Sequence, residues 1–139
     1  MKRILLAVCV VGGLTLSACA PGAVVRVGRE LGATLYLPQG MPQGMTLAGV
    51  RRLGPHMAAL SYKGDGRIVS IFESPEPIAP PPGATRDRQG VWRGVAVVDG
   101  TLTMSRLIHL PGAFIEVMAV GIGEKSLDRL DNTWRPISP

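Results

Sequence analysis

Met57-Ala58-Ala59-Leu60-Ser61-Tyr62-Lys63-Gly64-Asp65-Gly66-Arg67-Ile68-Val69-Ser70-Ile71-Phe72-Glu73-Ser74 decides the fold class. Two runs rich in apolar and β-branched residues flank Gly64-Asp65-Gly66, and a glycine-bracketed aspartate between such runs signals a β-hairpin. In the first run Ala58, Leu60 and Tyr62 share one face, with Met57, Ala59 and Ser61 on the other. In the second, Ile68 and Phe72 alternate with Val69 and Ile71, so both faces are apolar and the strand is expected near the centre of a sheet.

The same grammar continues in both directions. Upstream, Thr46 to Leu53 reads as a strand ending at Gly54-Pro55. Before it, Pro-Gln-Gly-Met occurs twice between Pro38 and Met45, a spacing suited to successive turns because proline fixes φ and glycine supplies positive φ. Downstream, five prolines between residues 75 and 82 and the charged Arg86-Asp87-Arg88 predict a loop with polyproline II character over 75–90. A second strand group then follows: Val91 to Val98, the turn Asp99-Gly100, Thr101 to Leu110, Pro111-Gly112 and Ala113 to Gly121. Along Thr101 to Leu110, alternation predicts a buried face of Leu102, Met104, Ile108 and Leu110 and a wet face of Thr103, Ser105 and His109. After Gly123 the period changes to that of a helix, with Leu127, Leu130 and Trp134 as its stripe and Pro136 as its stop. The expected architecture is α+β: a curved antiparallel sheet of five to six strands with a C-terminal helix packed on one face.

The beginning of the chain follows a different logic. Lys2 and Arg3 precede an apolar run from Ile4 to Val11, then Gly12-Gly13 and small residues, the layout of an export signal. Its end, Leu16-Ser17-Ala18-Cys19, resembles the lipobox of bacterial lipoproteins. That resemblance implies cleavage before Cys19, diacylation of its thiol and a lipid-anchored mature chain. An ordinary signal cleaved near Ala18 or Ala20 is the alternative. The apolar run falls short of the roughly 20 residues that cross a bilayer core. Residues 1–18 are therefore read as signal peptide, 19–33 mainly as a tether rich in small residues, and 34–139 as the domain. Within the tether, Val24 to Val27 could form a short strand and Arg29 to Leu31 a turn of helix. Alanine at position 20, where lipoproteins held at the inner membrane commonly carry aspartate, favours the outer membrane facing the periplasm.

Composition narrows the function classes. Of the chain's 15 basic side chains, Lys2 and Arg3 leave with the signal, so the mature chain sets 13 against 10 acidic ones. This small surplus forms no basic stripe with interleaved aromatics, which argues against nucleic acid as a partner. Cys9 lies in the signal and Cys19 at the lipid site, leaving no disulfide to support the domain. Apolar burial must hold it together.

No catalytic set emerges. His56 and His109 lie beside turns without metal-ligand spacing, no nucleophile elbow or phosphate loop occurs, and no cofactor is expected. Trp92, Tyr36, Tyr62, Phe72 and Phe114 are candidates either for the core or for a pocket lining. Arg51-Arg52 and Arg86, Arg88 and Arg93 are candidates for anionic headgroups or for plain solvation.

With the strands placed, a family likeness emerges. Leu37-Pro38-Gln39-Gly40 before the first long strand, Tyr62-Lys63-Gly64-Asp65-Gly66 running into Val69-Ser70-Ile71-Phe72-Glu73, and a last strand leading to a glycine and a short helix carry it. The sequence resembles the C-terminal domain of the periplasmic sigma-E regulatory proteins and a related domain attached to some anti-sigma factors, over about residues 34 to 134. The resemblance implies a non-enzymatic domain whose full-length relatives restrain an anti-sigma factor from proteolysis. Two features depart from it: the larger N-terminal domain of those proteins is lacking, and this chain carries a lipobox. The expectation is a membrane-tethered binding module for another envelope protein, an anti-sigma factor being the implied candidate. The alternative is a binder of lipids or lipoprotein acyl chains on the sheet face.

Overall fold

The computed structural model describes residues 13–138, with side chains from Gly22. The apolar run Ile4 to Val11 and Cys9 lie outside the described residues. The chain runs α1 (Gly13–Leu31), β1 (Leu35–Pro38), β2 (Thr46–Leu53), β3 (Met57–Gly64), β4 (Arg67–Ser74), β5 (Thr85–Arg86), β6 (Trp92–Val98), β7 (Thr101–Leu110), β8 (Ala113–Val120), α2 (Glu124–Asp131) and β9 (Trp134–Ile137).

Seven strands form one antiparallel sheet in the order β2-β3-β4-β8-β7-β6-β5, and β1 pairs with β9 in a separate two-stranded ribbon. The α+β class stands, while the strand count exceeds the five or six expected. Short segments account for the excess. Leu35–Pro38 looks like the entry to a turn, and two-residue β5 lies inside the proline-rich loop.

The hairpins form where the turn residues place them. Asp65 and Gly66 take φ of 53° and 71°, and Asp99 and Gly100 take 50° and 77°. These are the left-handed conformations of type I′ turns, whose twist matches that of the strands they join. β4 sits between β3 and β8, as its two apolar faces require.

One face of the sheet carries the core. Cross-strand partners share a face, so Leu60, Ile71 and Val117 form a row across β3, β4 and β8, flanked by Ala58, Tyr62, Val69, Ile115 and Ala119. Both helices and the β1–β9 ribbon contribute to the same cluster through Val24, Val27, Leu35, Leu37, Leu127 and Leu130.

Three expectations are corrected here. Residues 20–31, read mainly as tether, continue α1, which lies against β2 and buries Val24 and Val27. Two valines about one helical turn apart are too sparse a pattern to stand out among small residues. The C-terminal helix ends at Asp131, and Trp134 and Pro136 belong to β9 instead. There Pro136 lies opposite Tyr36 in a two-stranded ribbon, where every strand is an edge and a proline is tolerated.

The third correction concerns β7. Thr103 and Ser105 are buried, whereas Leu102 is exposed. The tip of the β6–β7 hairpin leaves Leu102 uncovered. On the opposite face, the Ser105 hydroxyl oxygen lies 2.6 Å from where a Cβ on Gly94 would stand, and the Cβ atoms of Ala84 and Pro81 lie 3.6 and 3.8 Å from that point. The proline-rich loop therefore crosses the face that alternation predicted to be wet.

Candidate interaction surfaces

Among the described residues, no group of three or more His, Cys, Asp or Glu side chains is arranged to hold a metal ion. The titratable groups that are buried serve the fold. Glu73, 0% exposed at the end of β4, accepts a 2.7 Å hydrogen bond from the Tyr36 N–H on its Oε1, while its Oε2 has no partner. Burial pushes its carboxyl up to about 8, opposed only by the Tyr36 bond. Burial, helped by the nearby Glu73, also raises the Tyr62 phenol to about 12. Glu73 thus acts as a largely protonated pin between the main sheet and the β1–β9 ribbon, and Tyr36 adds a bond from its hydroxyl to the Pro111 carbonyl at 2.6 Å.

A second polar cluster ties α2 to β6 and β7. Arg106, 1% exposed, donates from Nε to Asp131 at 3.3 Å and from Nη1 to the Ser105 carbonyl at 3.0 Å. Arg93 donates to Asp87 at 2.9 Å and to Asp128 at 2.6 Å. The hydrogen bonds that Arg93 donates to Asp128 and Asp87 raise its guanidinium above its ordinary range, and the bond from Arg93 holds Asp87 low. Burial carries Asp131 up to about 6 against the pull of Arg106 and Arg93. Guanidinium groups stay charged and move no protons, so Arg93 and Arg106 act here as fixed cations that fasten α2 to β6 and β7. Buried Arg106 gave no sequence signal, because an arginine amid strand residues reads as an exposed position.

Three surfaces stand out among the described residues. The first lies on the sheet face opposite the helices: a groove of about 420 Å³ over β2, β3 and β4, lined by Gly49, Arg51, Ala59, Ser61, Lys63 and Phe72 among others. The second is a slot of about 180 Å³ beneath the proline-rich loop, where Ile78 and Pro80 face Trp92, Leu107 and Phe114. Arg86 and His109 complete its lining, and His109 stacks on Phe114 with ring centroids 4.3 Å apart. The third is the β6–β7 hairpin, where Val95, Val97 and Leu102 are 61, 70 and 59% exposed. Val97 lies opposite Leu102 and Val95 opposite Met104, so these side chains share one face.

The residues singled out from sequence scatter accordingly. Tyr36 and Tyr62 are core, Phe72 belongs to the groove, and Trp92 and Phe114 belong to the slot. Arg51 lines the groove, while Arg52 donates to the Gly54 carbonyl at 2.8 Å. His56 is exposed, 3.8 Å from Glu76. Cys19 falls within α1, but its side chain is outside the described residues. No described helix is long and apolar enough to cross a membrane. The exposed hairpin tip escaped the sequence reading, because alternation alone cannot tell a covered apolar face from a bare one.

No protein-family model matches the chain, and no curated protein matches it. Solved structures that are similar in part include two complexes of MucB. A chain of MucB in complex with MucA(peri) aligns with a TM-score of 0.47 and 19% identity, covering 75% of this chain and 37% of that one. A chain of the Pseudomonas aeruginosa MucA/MucB complex aligns with a TM-score of 0.46 and 22% identity, covering 75% and 35%. This chain thus spans little more than a third of the length of those it matches.

Proposed function

We propose that this protein is a non-enzymatic envelope lipoprotein that holds a binding domain at the membrane through lipid on Cys19 and docks another envelope protein on the open face of its sheet. The observation that carries the docking is the groove over β2–β4. One face of the sheet is closed by two helices and a ribbon, while among the described residues no element covers this part of the other face, which combines apolar Ala59 and Phe72 with Arg51 and Lys63 at its sides. A shallow channel with an apolar floor and basic flanks suits an extended segment of neutral or acidic character. Its polar lining, with Ser61 and Ser70 beside the two cations, disfavours the acyl-chain alternative, which needs a dry enclosed cavity.

The address rests on Leu16-Ser17-Ala18-Cys19, with Ala20 favouring the outer membrane, periplasmic side. The sequence resemblance to sigma-E regulators makes an anti-sigma factor the first partner to test and supports a role in envelope-stress regulation. A photo-crosslinking amino acid at Ser61, in the groove, should capture a discrete protein in intact cells, and one at exposed Lys125 should not. Capture of lipid alone, or of nothing, sinks the proposal.

A further inference from the structure

We infer that the outer edge of β6 is a self-association site, where a second copy of this chain pairs antiparallel to join the two sheets into one. β5 pairs with β6 only at Arg93 and Trp92. From Gly94 to Val98 no described strand occupies that edge, and the stretch contains no charge and no proline. Natural proteins usually guard such an edge with charge, proline or a bulge; here the proline-rich loop comes close only at Gly94, and among the described residues Val95 to Val98 carry no charge or proline.

The hydrogen-bonding phase is set by the turn. A two-residue turn at Asp99-Gly100 makes Val98 and Thr101 a hydrogen-bonded pair, so Val98, Ala96 and Gly94 bond to β7. Val95 and Val97 then aim their N–H and C=O groups outward, in step with Arg93, whose pairing with Thr85 holds β5. The register centred on Val97 fits a second copy without displacing β5. It sets Val97 opposite Val97 of the partner subunit, and Val95 opposite Asp99 of the partner subunit.

The side chains favour that arrangement. Val97 and Leu102 already form an exposed pair on one face. Two copies extend it into a row of Leu102, Val97 and the partner's Val97 and Leu102, covering apolar surface that monomers rarely leave bare. The charges agree as well. Basic Arg93 and acidic Asp99 bracket the free edge, so antiparallel pairing sets opposite charges diagonally across the seam, whereas parallel pairing would align like with like. Arg93 retains 29% side-chain exposure alongside its bonds to Asp87 and Asp128. The seam lies across the sheet from the groove on β2–β4, so the inference stands independently of the groove's occupant.

The experiment uses the full chain in its own membranes. Hydrogen-bonded partners across an antiparallel seam have Cα atoms about 5.5 Å apart, within disulfide reach. Val97→Cys should therefore give a covalent dimer on mild oxidation, with Lys125→Cys and the wild type as controls that do not. In detergent extracts the wild type should have twice the monomer mass, and Val97→Lys should revert to monomer with an unchanged circular dichroism spectrum. A monomeric wild type without a Val97→Cys dimer overturns the inference, as does a wild-type dimer that persists in Val97→Lys. A photo-crosslinker at Leu102 that captures only a different protein overturns it in favour of a foreign strand.

Discussion

Glu73 shows how a single residue can join two parts of a fold at the expense of its own charge. Its carboxyl is raised from 4.5 to about 8, so between those values the folded state binds more protons than the unfolded one. Stability contributed by the protonated group is complete below pH 4.5 and is lost as pH rises toward 8, with a slope of up to about 1.4 kcal/mol per pH unit. Asp131, raised to about 6, and Glu116, raised by burial, add the same sign, so the contribution of Glu73 is singled out by comparison with Glu73→Gln. Urea midpoints should fall from pH 6 to 8 in the wild type and stay flatter in Glu73→Gln, which keeps an acceptor for the Tyr36 N–H. Arg106 is the opposite case, a buried cation set against Asp131. Arg106→Ala leaves Asp131 buried beside one remaining cation and should cost about 3–5 kcal/mol in chemical denaturation.

At the scale of elements, the hairpins and the central strand were legible in the sequence because their signals are local. Asp65-Gly66 and Asp99-Gly100 can take the left-handed geometry with little strain, and the apolar alternation of β3 and β4 needs no knowledge of neighbours. The face of β7 was not legible, because its burial depends on the proline-rich loop folding back over Gly94. The docking of α1 was hidden for a similar reason, since Val24 and Val27 acquire meaning only against β2. The loop contact makes its own test. Gly94→Val would drive a side chain into Ser105, Ala84 and Pro81, and should destabilise by about 1–3 kcal/mol in urea while raising Trp92 exposure to a quencher. Val95→Thr, on the bare face of the same strand, should stay within about 0.5 kcal/mol of the wild type.

For the whole molecule, the position of α1 sharpens the proposed anchoring. Residues 19–33 read from sequence mainly as a tether, yet Val24 is already packed in the core, five residues on from Cys19, the proposed lipid site. At about 1.5 Å per helical residue and at most about 3.6 Å extended, the proposed anchor would hold the domain within roughly 8–18 Å of the bilayer. The candidate site was the least legible part, because an uncovered face is defined by what fails to pack on it. Cys19→Ser should abolish labelling by an alkyne fatty acid and shift the chain to its uncleaved size, with folding of the domain unchanged. Tethering also raises the local concentration of a weakly bound partner by orders of magnitude. The direct test is the yield of the photo-adduct at Ser61, compared between the wild type and a chain exported behind an ordinary cleavable signal in place of residues 1–19. The account expects a discrete protein adduct in the wild type and a roughly tenfold or greater loss in the untethered form. Equal yields from the two chains would contradict it.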